Sequence, residues 1–236
     1  MLILTIIAEL LILYFLSSHL TSILYNLLLR IVRVRSIAIS ILTIIYLPGT
    51  IIHELAHLMI AEILRVPTGE ISFIPLVESA DKNTQEVKMG SLKIGNTDQI
   101  RRFLVGIAPF LVGLIMTISL LYVWQTFISQ TTILIQRAGL TLLIGYFLFA
   151  ISNSMFSSKK DLEGSLGIFL ILAILGFLSY YFGLRIALTG QLLQIANILL
   201  LNLSYTLGIV IGINLVILTV NALVLHFLLF LFKAKL

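Results

Sequence analysis

His53, Glu54 and His57 stand together in the run PGTIIHELAHLMIAEIL. Two histidines four residues apart project from one face of a helix and can share a single zinc ion. A glutamate beside the first of them can take a proton from a water attacking a carbonyl and pass it to the leaving amine, while zinc polarises the carbonyl oxygen. With four histidines in 236 residues, chance supplies about 0.002 copies of this pattern. Its surroundings add weight, because a His-Glu-His cluster inside an apolar segment is costly in lipid unless it faces a bundle interior or a wet cavity.

Catalytic zinc normally has three protein ligands and one open position. The chain has no cysteine, so thiolates are excluded and the third ligand must be a histidine or a carboxylate. His19 and His226 each stand alone in an apolar span, where a histidine is more often a packing partner than a ligand. Asp161 and Glu163 follow a later span, in FAISNSMFSSKKDLEG. One returning helix separates that span from the HELAH span, so the two run in the same direction and Asp161 emerges on the side that HELAH approaches. A solvated charge paired with Lys159 or Lys160 is the alternative for Asp161.

The elements that must position these residues are membrane spans. The chain is 60% hydrophobic and 11% charged, with a mean hydropathy of +1.15, well outside the range of soluble domains. Hydropathy predicts six spans, about Leu2 to Leu29, Ile37 to Leu64, Phe103 to Ile128, Ile133 to Phe156, Leu166 to Leu184 and Tyr205 to Phe232. No cleavable leader pattern precedes the first, which is expected to be retained. Pro48-Gly49 predicts that the second span is two pieces, with a fresh helix starting near Pro48. The stretch LTGQLLQIANILLLNLS lies at the interface or extends the last span. Between spans two and three, residues 65–102 form a polar segment in which GEISFIPL and EVKMGSLKI, separated by SADKNTQ, predict a β-hairpin. The expected fold is therefore an all-α integral membrane protein, one polytopic domain over residues 1–236, with a small membrane-associated β-hairpin.

The net charge of +5 sits in loops and shows no basic stripe interleaved with aromatics, which argues against nucleic acid and for contact with lipid headgroups. Six spans place ten of the 15 Lys and Arg residues on the side of both termini, predicting a cell-membrane protein with its termini in the cytoplasm. Gly208 and Gly212 form a GxxxG that serves internal packing or a homo-oligomer seam.

HELAH, the next span's GIAPFLVG and NSMFSSKKDLEG together resemble the site-2 protease family of intramembrane zinc metalloproteases, over about Pro48 to Gly164. That family carries NxxPxPxLDG two spans after its HExxH helix. Asn153 lies eight residues before Asp161, at the family's spacing, so the resemblance implies that Asp161 is the third zinc ligand and Asn153 a polar partner near the reacting carbonyl. Asn153 otherwise reads as interhelical glue. Both prolines of the motif are absent and two residues separate Asp161 from Gly164, which marks a divergent branch with a metalloprotease-like core over about 37–165. The family's membrane-associated hairpin is similar in position to the predicted one, and a strand edge can hold an unwound substrate by β-addition.

These features predict a zinc metalloendopeptidase, with one zinc per chain, cutting transmembrane or juxtamembrane segments of membrane proteins. A catalytically silent scaffold of the same fold is the alternative, and it has no need of Glu54. A transporter would spread polar residues over several spans; here the charged ones cluster at one depth.

Overall fold

The computed structural model describes residues 2–72, 76–79, 85–88, 91–95, 97–156, 165–183 and 189–233. The first helix, α1 (Leu2–Val32), contains neither glycine nor proline and stops where Arg33 turns into the left-handed region at φ 60°. After Val34 the chain enters α2 (Arg35–Ile63), which carries HELAH.

Contrary to the expectation of a break at Pro48, α2 is one continuous helix with Pro48 inside it. Proline lacks the N–H that would bond the carbonyl four residues back, here that of Ile44, and such a carbonyl is costly to leave bare in a bilayer. The Tyr146 hydroxyl reaches across from a neighbouring helix and donates to Ile45 O at 3.1 Å, with Ile44 O at 3.5 Å. The hydroxyl thus sits at the turn that proline opens, nearer Ile45 O than the freed Ile44 O, and the helix continues through it. It ends in a Schellman closure, in which Val66 N–H donates to Ala61 O at 2.8 Å and Arg65 N–H to Glu62 O at 3.0 Å. Arg65 takes the left-handed position usual for glycine, at φ 55°.

Four short strands follow. The outer pair, β1 (Thr68–Ser72) and β4 (Ser91–Ile94), and the inner pair, β2 (Leu76–Ser79) and β3 (Gln85–Lys88), are each antiparallel, with Thr68 opposite Ile94 and Leu76 opposite Lys88. Helix α3 (Gln99–Gln130) starts on the Asp98 side chain, which accepts from Arg101 N–H at 2.8 Å and so satisfies one of the first turn's bare donors. Then come α4 (Leu134–Ser154), α5 (Ser165–Tyr181) and α6 (Gly190–Lys233).

Among the described residues, five helices are long and apolar enough to cross a membrane; α5, at 17 residues, is the sixth helix and the shortest. Helix α6 has 44 residues, about 66 Å at 1.5 Å per residue, and absorbs the stretch that could have lain at the interface. Side chains such as Leu134 at 82% and Ile135 at 80% exposure are tolerable where the surrounding solvent is hydrocarbon. The chain is an α-helical membrane protein.

Helix α2 packs against α3 and α4, and α1 lies along α6. One buried cluster joins α1, α4 and α6 through Leu13, Leu148, Met155 and Leu207; another joins α1, α2 and α4 through Leu20, Tyr46 and Phe149. At Gly49 the α2 backbone comes so close to α4 that an added Cβ would overlap the Ala150 carbonyl, with its carbon 2.6 Å away. Glycine there sets the α2–α4 spacing. Among the described residues nothing packs closely on the GxxxG of α6: a Cβ added at Gly208 or Gly212 meets nothing within 4 Å.

Candidate metal centre

His53 and His57 lie one turn apart on α2, and their rings meet edge to face at 83° with centroids 4.8 Å apart. Each ring is held from behind by a backbone carbonyl. His53 Nδ1 lies 2.6 Å from Ser154 O on α4, and His57 Nδ1 lies 2.8 Å from Val105 O on α3. A carbonyl can only accept, so both Nδ1 atoms carry a hydrogen, and in the neutral imidazole that leaves the lone pair on Nε2.

Both carbonyls are available for a reason written in the backbone. Val105 is four residues before Pro109, which lies inside α3 and has no N–H to give it. Ser154 is the last residue of α4, where final-turn carbonyls lack intrahelical donors. The neighbouring orphan, Asn153 O, accepts from Ser17 Oγ of α1 at 3.0 Å. A proline and a helix end thus supply the acceptors that fix the tautomer and aim of the two rings.

The two Nε2 atoms are 3.2 Å apart. Two facing lone pairs at that distance repel unless a cation lies between them. Ligand nitrogens on a tetrahedral zinc, at 2.0–2.1 Å each, stand about 3.3 Å from one another. The pair therefore fits zinc in donor type, spacing and support, since metal-binding histidines characteristically give their second N–H to a carbonyl or carboxylate. Glu54 is buried at 4% exposure and His57 at 3%; three residues apart on the helix, they share a side of α2.

No family model, no curated protein and no solved structure matches this chain. The resemblance to site-2 proteases rests on the motif residues alone.

Of the residues predicted to form the site, the structure brings together His53, Glu54 and His57. Asp161, the predicted third ligand, and Glu163 lie outside the described residues, and among the described residues no group of three metal-ligating side chains occurs. His19 and His226 are exposed. Asn153 belongs to the α4 turn that holds His53, and its side chain points to α6: Nδ2 donates to Phe149 O and to Asn214 Oδ1, each at 2.7 Å. Sequence reasoning passed over Val105, Ser154, Ser17 and Asn214. For Val105 a signal existed, in the proline four residues later in GIAPFLVG.

Proposed function

We propose that this protein is an intramembrane zinc metalloprotease that hydrolyses peptide bonds in transmembrane or juxtamembrane segments of other membrane proteins. The observation that carries the proposal is the convergence of two Nε2 atoms 3.2 Å apart, each ring fixed through Nδ1 by a carbonyl that a proline or a helix end has freed. A proton-transferring carboxylate, Glu54, stands beside them on the same helix.

His53, His57 and, by resemblance, Asp161 would hold one zinc per chain. Zinc held there would supply a Lewis acid able to polarise the scissile carbonyl and lower the pKa of an attacking water. Glu54 accepts a proton from that water as its oxygen bonds to the carbonyl carbon, then delivers it to the amide nitrogen as the C–N bond breaks, leaving a carboxylate and an amine. The Ser154 and Val105 carbonyls keep the two rings from turning during this cycle.

Substrate must be unwound first, because a helix shields its own peptide bonds. The paired strands between α2 and α3 follow directly on the HELAH helix, and their outer edge offers main-chain groups to an extended segment. Helix α5 has no charged residue in its 17, close to the shortest length that spans a bilayer. Counted as a crossing it gives six spans, with both termini and the Lys- and Arg-rich side in the cytoplasm of the cell membrane.

The test is co-expression of wild type or Glu54→Gln with single-span membrane proteins, followed by gels for shortened products and zinc analysis of each preparation. Wild type cleaves and Glu54→Gln does not, both holding zinc. Cleavage unaffected by Glu54→Gln would remove the mechanism, and a cellular function fully carried by the variant would favour a scaffold.

A further inference from the structure

Two of the links between helices lie in stretches of chain that carry no acid. No Asp or Glu occurs between Glu9 and Glu54, between Asp98 and Asp161, or after Glu163. The first interval holds the α1–α2 link at 33–34, and the second holds the α3–α4 link at 131–133. Both carry arginines instead: Arg30 in the last turn of α1, Arg33 in the link, Arg35 at the start of α2 and Arg137 in the first turn of α4.

The packing of α2 on α4 brings these arginines to one level. The two helices run in the same direction, with Tyr146 beside Ile45 and Ala150 beside Gly49. Nine residues back along each, Arg137 lies at the depth of Ser36, next to Arg35. About 27 Å of α2 separates this level from His53. Neither helix start is capped: Val34 and Ile133, in the N-cap positions, give no side-chain hydrogen bond, and neither first turn holds an acid. A helix start carries partial positive charge and disfavours a cation in its first turn, yet both of these first turns carry an arginine. An anion from outside the chain relieves that repulsion.

The neighbours of the arginines say which anion. Ile31, Val34 and Ile37 are 47–55% exposed, and Ile133, Leu134 and Ile135 are 51–82% exposed. Apolar and cationic side chains alternate over the same few residues, as suits the boundary between hydrocarbon and headgroups. A free phosphate leaves the apolar side chains in water, and a hydrocarbon tail leaves the arginines unmatched. A phospholipid of net negative charge meets both, because its phosphate oxygens match the planar fork of arginine and its acyl chains cover the apolar side chains.

We infer that the end of the bundle formed by the α1–α2 and α3–α4 links is a binding site for an anionic phospholipid, whose phosphate is held by Arg30, Arg35 and Arg137. Arg33 adds to the positive field. Arg137 Nε donates to Thr131 O, which leaves its two terminal nitrogens to the headgroup. The lipid ties the start of α2 to the start of α4, the two helices whose later turns bring His53 and Ser154 O together. The site stands whether or not the chain is a protease.

Trp124 is the chain's only tryptophan, and its Nε1 donates to Thr141 Oγ1 at 3.1 Å, one turn along α4 from Arg137. It therefore reports on acyl chains at this end. The full-length chain is reconstituted in phosphatidylcholine bilayers containing brominated phosphatidylglycerol or, in parallel, brominated phosphatidylcholine, and quenching of Trp124 is followed against mole fraction. Half-quenching by phosphatidylglycerol is expected at a mole fraction about fivefold lower or more, fivefold being the gain from one arginine at a membrane surface. Arg30→Gln/Arg35→Gln, at two exposed positions, abolishes the preference. Arg101→Gln/Arg102→Gln, which removes the same charge at the start of α3, keeps it. Excess inorganic phosphate, against chloride at equal ionic strength, does not compete. Equal quenching by brominated phosphatidylcholine in wild type and variants shows that each variant is folded in the bilayer.

No preference for phosphatidylglycerol in wild type would overturn the inference, as would a preference that survives Arg30→Gln/Arg35→Gln. A preference lost equally in Arg101→Gln/Arg102→Gln would replace the site with general charge attraction. One abolished by inorganic phosphate would give the arginines to the free anion, and the lipid site would fall.

Discussion

Pro109→Ala should make the protein more stable and bind zinc less well. Alanine restores the N–H that residue 109 lacks, and that donor belongs to Val105 O, the acceptor now used by His57 Nδ1 at 2.8 Å. Replacing proline in a helix interior gains about 3 kcal/mol of helix propensity. Pro109 is fully buried, so losing its ring atoms takes back on the order of 1–2 kcal/mol of packing. The net is a gain of roughly 1–2 kcal/mol, read as a higher midpoint of unfolding in detergent. Zinc affinity moves the other way. Weakening a supporting hydrogen bond behind a ligating histidine costs about 10- to 100-fold, and the smaller figure applies here because a carbonyl has two lone pairs and can serve both donors. Zinc is titrated against a chromogenic chelator, with Pro48→Ala as control: it restores a donor to Ile44 O, which no histidine uses. Affinity should fall about tenfold in Pro109→Ala and stay unchanged in Pro48→Ala. Equal affinities in wild type and Pro109→Ala would refute the idea that proline creates the support for His57.

Gly49→Ala pushes a methyl into the Ala150 carbonyl and Ser154 Oγ and should cost about 1–3 kcal/mol as overpacking, with weaker zinc binding because Ser154 moves away from His53. A melting curve and a zinc titration matching wild type would contradict that packing. Asp161→Ala should lower zinc content in detergent and Glu163→Ala should not; the reverse pattern would reassign the third ligand. Impermeant labelling of single cysteines in intact cells should reach Ser36→Cys and miss Ser79→Cys and Ala234→Cys, and reaction at either of the last two from outside would invert the topology.

The helical membrane architecture and the HELAH face were legible because each depends on near-neighbour spacing, a run of apolar residues or a four-residue interval. The supports of the two rings were half legible. Pro109 announces that Val105 O needs a donor, but which donor arrives is decided by how α2 lies on α3. The same gap misled at Pro48, where local rules predict a break and α2 runs on, with the Tyr146 hydroxyl, 98 positions further along the chain, beside that turn. Asn214 was invisible for a different cause: in sequence it is an ordinary polar residue in an apolar helix, and its partner, Asn153, stands on another helix. Gly208 and Gly212 show the converse, a spacing that suggests close contact where α6 meets open space among the described residues.

The most direct test of the central claim is the zinc content of the purified full-length chain, by mass spectrometry of the metal, beside His53→Ala and His57→Ala. Two facing Nε2 atoms 3.2 Å apart are held together by a metal ion or by a shared proton, and metal content separates the two. The account predicts one zinc per wild-type chain, retained through gel filtration, and a marked loss in both variants. A folded wild-type chain that carries no zinc, and takes up none when zinc is supplied, would show that the pair shares a proton and that the protein is not a zinc protease.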